Sequence, residues 1–202
     1  MNEETKILEL YLYNHKLKFN EIEKKLKIRS NKLAYHIQNL IKKGILIKEK
    51  EIYSLSEKSE KIIPYLSEKQ TTLCSILINI GNNKETFLYK RNKRPYKDLL
   101  SLPGGRLLVG ESIEESVKRI MKDKFNITAK LKKINSVSLE HLKKNNKTIH
   151  SFILILATAT TKDKITLVNI EKSKSKIIKS DYKLLKNDLS LNSQIKTINS
   201  KV

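Results

Sequence analysis

The sequence predicts an α+β protein with two domains, residues 1–68 and residues 69–202. In the first part, three segments with helical spacing precede two short strands. In the second part, strand-like runs lie on both sides of one long helical segment. A chain of 202 residues is long enough for two such domains, each with its own core.

The first domain begins with two predicted helices. Residues 4–15 place apolar side chains at mixed helical spacing and predict the first helix. Asn20 is the predicted N-cap of a second helix over residues 21–26, and Glu23 is its predicted capping-box partner.

A third helix and a pair of strands follow. The helix is predicted over residues 31–43, with Ser30 as its N-cap and Gly44 as its end. Residues 45–56 predict two strands joined by a tight turn, because apolar and polar side chains alternate in the second strand. Helical composition continues over residues 57–66.

The segment SNKLAYHIQNLIKKGILIKEKEIYSLSEK resembles the recognition helix and wing of ArsR- and MarR-like regulators. The resemblance covers residues 4–66 and implies a winged helix-turn-helix that binds double-stranded DNA as a homodimer. Residues 28–44 contain four basic residues and no acid, which suits a helix in the major groove. A partly buried Tyr35 and a water contact for His36 are the alternatives to direct DNA contact. The predicted DNA-binding residues are Arg29, Ser30, Asn31, Lys32, Tyr35, His36, Asn39, Lys42, Lys43, Lys48 and Lys50.

The second domain is predicted to be a sheet with flanking helices. Its strands are expected over residues 72–80, 85–91, 129–139, 149–159 and 165–168. A terminal helical portion is expected over residues 181–198, and the Ser- and Lys-rich residues 171–180 are expected to form a solvated loop.

Residues 102–127 read LPGGRLLVGESIEESVKRIMKDKFNI and resemble a Nudix box. Gly105, Glu111 and Arg119 match the pattern, with five and then seven residues between them. The resemblance extends over residues 70–200 and implies a Nudix-like α/β/α sandwich with a mixed sheet.

The sequence departs from the family at the acidic positions of the box. Where the family has three glutamates, this chain has Ile120, Asp123 and Lys124. Hydrolysis in such sites needs a divalent cation held by several hard oxygen ligands, and carboxylates at i, i+3 and i+4 of a helix can supply them. Ile120 offers no oxygen and Lys124 adds a positive charge, so the sequence predicts no catalytic residue, no metal ligand and no cofactor here.

The glycine loop and the basic residues around it predict a binding pocket instead. A glycine pair lets the backbone approach a phosphate, and Lys and Arg contact phosphates directly. Glu111 and Arg119 are better explained as a salt-bridged helix face. The residues predicted to bind a nucleotide-type ligand, such as ADP-ribose, are Arg91, Arg94, Gly104, Gly105, Arg106, Asp123 and Lys124.

Together the two resemblances imply a transcription regulator whose inactive Nudix-like domain senses a nucleotide-type effector. In NAD-metabolism repressors of this kind the Nudix-type domain comes first, whereas here it comes second, so their ligand does not carry over.

The alternative is a Mg²⁺-dependent hydrolase of a nucleoside diphosphate derivative with an accessory winged helix. It needs other acids as ligands, such as Glu114, Glu115 or Glu140. A basic nucleic-acid-associated protein without sensing or catalysis is the third hypothesis.

Composition sets the expected partners and compartment. The formal net charge is +21, and although a general lysine bias explains part of it, the excess predicts polyanionic partners. Cys74 is the only cysteine, so no intramolecular disulfide forms. The charged N-terminus and the short apolar runs predict neither a signal peptide nor a membrane span, and a cytoplasmic location is expected.

Overall fold

The computed structural model describes residues 3–61 and 71–200. The chain divides into two compact units, residues 1–70 and residues 71–202. The predicted helical continuation from residue 62 to residue 66 lies outside the described residues.

The first unit combines helices with a small antiparallel sheet. The elements, in chain order, are α1 (Glu3–Glu9), β1 (Lys16–Lys18), α2 (Phe19–Leu26), α3 (Ser30–Lys42), β2 (Leu46–Glu49), β3 (Ile52–Leu55) and α4 (Glu57–Glu60). The strands lie in the order β1-β3-β2.

Helix α3 supplies much of the core of the first unit. It buries Leu33, Ile37 and Leu40, which lie on one face because they are three and four residues apart. These side chains pack with Ile7 of α1 and Ile22 of α2. The amphipathic pattern alone was therefore enough to place this helix.

The beginning of the first unit differs from the prediction. The first helix ends at Glu9 and a 3-10 turn follows, so the single helix predicted over residues 4–15 is wrong. Strand β1 was missed: Leu17 is buried between exposed lysines and pairs with Tyr53. Three residues of alternation are too short to stand out from the helical spacing around them.

Two predicted helix caps are also wrong. Helix α2 begins two residues earlier than expected, with Lys18 as its N-cap and the Lys18 backbone N–H donating to Glu21 Oε2 at 2.7 Å. Helix α3 begins at Ser30 itself, after Arg29. Shifts of this size are common because neighbouring polar residues compete for the same orphan N–H groups.

The second unit contains a mixed four-stranded sheet. The elements of this unit are β4 (Leu73–Asn79), β5 (Glu85–Thr86), β6 (Tyr89–Lys90), β7 (Leu100–Ser101), β8 (Gly104–Arg106), α5 (Ile113–Phe125), β9 (Ala129–Lys144), β10 (Lys147–Thr161), β11 (Val168–Asn169) and α6 (Lys179–Asn187). The strand order in the sheet is β8-β4-β10-β9. Strand β10 runs parallel to β4 and antiparallel to β9, and β4 is antiparallel to β8.

Each face of this sheet packs against one helix. Because side chains alternate along a strand, Ile76 and Ile78 of β4 point to one face and Leu77 to the other. The first face packs against α5, including Val117. The second packs against α6, including Leu185. The predicted mixed sheet with flanking helices is confirmed.

Two segments are more ordered than predicted. Strands β9 and β10 continue past residues 139 and 149 to a tight turn, where Asn145 and Asn146 adopt φ angles of 49° and 61°. Within the predicted solvated loop, Ile177 and Ile178 are each only 3% exposed, and the Ile178 N–H donates to Leu100 O at 2.9 Å. The lysines around them concealed this apolar anchor in the sequence.

Within residues 3–61 and 71–200, no helix has both the length and the apolar character that crossing a membrane requires.

Candidate functional site

The loop between β8 and α5 is braced by a single ion pair. Arg119 donates through Nε and through Nη2 to the Glu111 carboxylate, the latter at 2.8 Å, and Nη2 also donates to Arg106 O at 3.0 Å. Glu111 accepts further hydrogen bonds from Ser116 Oγ at 2.6 Å and from the Leu108 N–H at 3.1 Å. These donors, Arg119 first, lower the pKa of Glu111 to about 2. Both residues therefore hold the loop onto the helix.

The first turn of α5 uses its acids locally. Ser112 and Glu115 form a reciprocal capping box, with the Ser112 N–H donating to Glu115 Oε2 at 2.8 Å. Glu114 forms an ion pair with Lys118 at 2.9 Å. Neither Glu114 nor Glu115 lines the cavity that is described below.

Ile120 and Lys124 face the glycine strand β8. A Cβ on Gly105 would lie 3.0 Å from Ile120 Cγ1 and 3.4 Å from Lys124 Nζ. The Lys124 ammonium donates a hydrogen bond to the Gly104 carbonyl. A Cβ on Gly104 would lie 2.7 Å from the Ile76 carbonyl oxygen, so only glycine fits this close strand contact.

The donors at this face do not fit a divalent cation. Ile120 is completely buried in the apolar core, and Lys124 directs a cation at the Gly104 carbonyl. Asp123 interacts with Arg119: the pKa of the Arg119 guanidinium is raised chiefly by its hydrogen bond to Glu111 and also by the charge of Asp123. No group of three or more His, Cys, Asp or Glu in residues 3–61 and 71–200 is arranged to hold a metal. A Mg²⁺ site needs several such oxygen ligands.

A cavity of about 400 Å³ opens beside this face, within the second unit. That volume is in the range of small-molecule sites. Its basic side chains are Arg91, Arg94, Arg106 and Lys124, and its aromatic ones include Tyr89 and Phe152.

Two carboxylates belong to the same cavity. Asp181 is 3% exposed and its Oδ2 accepts hydrogen bonds from the Leu102 N–H at 2.8 Å and from Ser101 Oγ at 3.0 Å. Burial raises the pKa of Asp181 to about 6 against the effect of these donors. Glu140 accepts a hydrogen bond from Tyr96 Oη at 3.0 Å. Burial, followed by the nearby Glu140 charge, raises the pKa of Tyr96.

Lys124 lies in a cationic corner of the cavity. Partial burial lowers the pKa of its ammonium, and the charges of Arg91, Lys93 and Arg119 lower it further. A positive group held among other positive groups favours an anionic ligand.

Six of the seven predicted ligand residues line one cavity, and one does not. Asp123 is exposed and lies outside the lining. Sequence reasoning missed Ser101, Tyr96 and Asp181 as lining residues. No local signal identified them, because Asp181 reaches Leu102 across 79 positions of sequence. The predicted residues that line the cavity are Arg91, Arg94, Gly104, Gly105, Arg106 and Lys124.

The predicted DNA-binding residues lie in and around α3, β2 and the turn that follows it. Lys32 pairs with Glu3 at 3.0 Å and Lys43 with Glu4 at 2.6 Å, so two of the predicted phosphate contacts are already engaged by acids of α1. Tyr35 is 62% exposed. The exposed residues of this set also include Arg29, Ser30, Asn31, Lys42, Lys48 and Lys50, while His36 and Asn39 are half-buried.

The sequence matches no protein-family model and no curated protein. Solved structures do resemble the fold. A MutT Nudix hydrolase from Burkholderia pseudomallei aligns with a TM-score of 0.50 and 14% identity, over 60% of this chain and 100% of that one. A MutT protein from Methanosarcina mazei Go1 aligns with a TM-score of 0.48 and 21% identity, over 59% of this chain and 94% of that one. A Nudix hydrolase from Nitrosomonas europaea aligns with a TM-score of 0.46 and 16% identity, over 59% of this chain and 70% of that one.

The second unit has a Nudix-like fold. The solved structure that aligns with a TM-score of 0.50 is a Nudix hydrolase and not a DNA-binding regulator. The prediction of a transcription regulator with an inactive sensor domain is therefore wrong. Within the basic surface on which that prediction depended, Lys32 and Lys43 form ion pairs with Glu3 and Glu4.

Proposed function

We propose that the Nudix-like unit hydrolyses a phosphoanhydride bond of a nucleoside diphosphate derivative bound in its cavity. The observation that carries this proposal is the meeting, in one cavity, of four basic side chains with two carboxylates. The basic side chains can bind the phosphates, and the carboxylates can take part in the proton transfer that hydrolysis needs.

The basic side chains supply the charge that a diphosphate requires. Arg91, Arg94 and Arg106 have planar guanidinium groups that can contact two phosphate oxygens at once, and Lys124 adds a point charge. Among the described residues, no carboxylate forms an ion pair with these four side chains. Their charge is therefore available to an anionic ligand.

The rest of the cavity suits a nucleoside. Tyr89, Tyr96 and Phe152 offer aromatic surface, and Leu154 adds apolar surface. Pockets of this kind bind the flat or apolar part of a ligand by burial and fix its orientation by a few polar groups.

The reaction requires a water molecule to attack one phosphorus atom while the bond from that phosphorus to the bridging oxygen breaks. The water gives up its proton, and the released phosphate group carries the electron pair of the broken bond. Glu140 and Asp181 are the cavity groups that can accept the proton, and the basic side chains stabilise the charge that develops on the phosphoryl oxygens.

We further propose that the first unit is an accessory winged helix. The order α1, β1, α2, α3, β2, β3 and the sheet order β1-β3-β2 support this assignment.

The experiment is a hydrolysis assay on the full chain with ADP-ribose, NADH and sugar nucleotides, in Mg²⁺, in Mn²⁺ and in EDTA. Phosphatase is added after the reaction, so that each cleaved anhydride bond releases inorganic phosphate for colorimetric detection. We expect turnover of at least one substrate. Removing the proton acceptor, by Asp181→Asn or Glu140→Gln, should lower kcat by about 100-fold.

Glu114→Gln is the matched control, because Glu114 lies outside the cavity and pairs with Lys118. It should leave kcat unchanged. Absence of turnover with every substrate in all three conditions would overturn the proposal, and so would full activity in both carboxylate variants.

A further inference from the structure

Lys124 lies at the position of the Nudix-like box, residues 102–127, where a lysine stands in place of the family's glutamate. Its ammonium is held by a backbone contact. It donates a hydrogen bond to the Gly104 carbonyl, and the Gly105 backbone leaves room for it, since a Cβ on Gly105 would lie 3.4 Å from Nζ. A surface lysine that only covers the helix would have no such anchor. The side chain instead spans from α5 to the glycine strand and ends at the wall of the cavity.

The surroundings of this ammonium leave its charge unneutralised. Arg91, Lys93 and Arg119 are close enough to disfavour its protonated form. No carboxylate in the described part of the chain lies within ion-pair distance of Lys124 Nζ. The Gly104 carbonyl is a dipole and compensates only part of a full charge. Such an arrangement favours the binding of an anion.

The face that would have to bind a divalent cation is closed to it. Ile120 is fully buried against the same glycine strand, so no oxygen replaces the ligand missing at that position. The Gly104 carbonyl oxygen already accepts a hydrogen bond from an ammonium. A divalent cation placed beside that carbonyl would be repelled by Lys124.

We infer that the Lys124 ammonium is a built-in cation for the diphosphate of the ligand, so that the cavity binds a metal-free diphosphate. An ammonium has three N–H donors. One is used by the Gly104 carbonyl, and the other two can donate to non-bridging phosphate oxygens. The inference rests on the proposed function for the choice of ligand, a diphosphate, and concerns how its charge is neutralised.

The test is binding of methylenediphosphonate to the full chain, measured by isothermal titration calorimetry in EDTA. This probe carries the charge of a diphosphate and cannot be hydrolysed at its bridging carbon. We expect the wild-type protein to bind it equally well in EDTA and in Mg²⁺. Lys124→Gln should raise the Kd about tenfold or more, because a hydrogen bond from a charged donor is lost.

Lys122→Gln is the control from the same helix, since Lys122 is exposed and donates to Asn126 Oδ1 at 2.8 Å. It should bind like the wild type. Lys124→Glu replaces the cation with a carboxylate, which repels an anion, and we expect it to bind the probe in EDTA more weakly than Lys124→Gln does. Thermal unfolding of each variant verifies that it is folded.

Three results would overturn the inference: wild-type binding that needs Mg²⁺, no wild-type binding in either condition, or wild-type affinity for Lys124→Gln in EDTA. The hydrolysis assay is independent of this test because the probe is not a substrate. A protein without turnover can still bind the probe through Lys124, and an active enzyme can still fail to.

Discussion

Replacing Asp181 with asparagine removes a titratable group from the cavity while keeping a side chain of nearly the same shape. The remaining amide oxygen can still accept the hydrogen bonds that Asp181 Oδ2 accepts from the Leu102 N–H and from Ser101 Oγ. The carboxyl is 3% exposed, and its pKa is raised from 3.8 to about 6, chiefly by burial. The substitution therefore isolates the cost of burying the charge.

The folded state binds the Asp181 proton more tightly than the unfolded state does, so the contribution of this carboxyl to the free energy of unfolding falls as the pH rises. The stability that comes from the protonated carboxyl is complete below the unfolded pKa of 3.8, and it is lost as the pH rises through about 6. Since one pKa unit corresponds to about 1.4 kcal/mol, the wild-type protein should lose about 3 kcal/mol of unfolding free energy relative to Asp181→Asn between about pH 4 and about pH 7.

Urea denaturation followed by far-ultraviolet circular dichroism, at a series of pH values, measures this difference. Asp123→Asn, which removes an exposed carboxylate from the same unit, corrects for the general loss of one negative charge. A difference between wild type and Asp181→Asn that stays constant over this range, or that shrinks as the pH rises, would show that burial does not govern the Asp181 carboxyl.

Four further substitutions, one of them a control, test the packing around the site and in the first unit by thermal unfolding. Glu111→Gln weakens the brace to Arg119 and should lower Tm by roughly 5 °C, and an unchanged Tm would show that the brace contributes nothing. Gly104→Ala should cost about 2 kcal/mol or more because its Cβ would lie 2.7 Å from the Ile76 carbonyl oxygen, whereas Gly110→Ala meets no atom within 4 Å and should cost only about 1 kcal/mol for its φ of 83°. Leu17→Ala removes a side chain that is 4% exposed and should cost about 2 to 5 kcal/mol, and a smaller loss would show that β1 does not belong to the core.

The sequence predicted the parts of the fold whose signal is periodic and long. Helix α3 has apolar residues three and four apart over 13 residues, and its limits were found to within one residue. Strand β1 has three residues, and its role depends on pairing with β3 more than 30 positions later. No window of local sequence contains that information, because a short alternating run is compatible with several structures until its partner is known.

The same contrast applies to the cavity. The glycine strand, Arg106 and Lys124 lie within one contiguous motif, so spacing alone grouped them. Asp181 reaches the cavity because α6 packs on the opposite face of the sheet from α5 and places this carboxylate beside Leu102. Such a residue is found only when the packing of the sheet is known, since its sequence neighbours are ordinary polar and apolar residues.

A departure from a motif has different consequences depending on where the altered residue points. Ile120 turns into the apolar core beneath β8, so its substitution for an acid removes an oxygen and adds nothing to the cavity. Lys124, one helical turn later on the same face, reaches the edge of β8 and enters the cavity lining. The sequence shows the chemical difference between these two residues but not where their side chains point. In the structure Ile120 belongs to the core, while Lys124 places a positive charge beside the glycine strand.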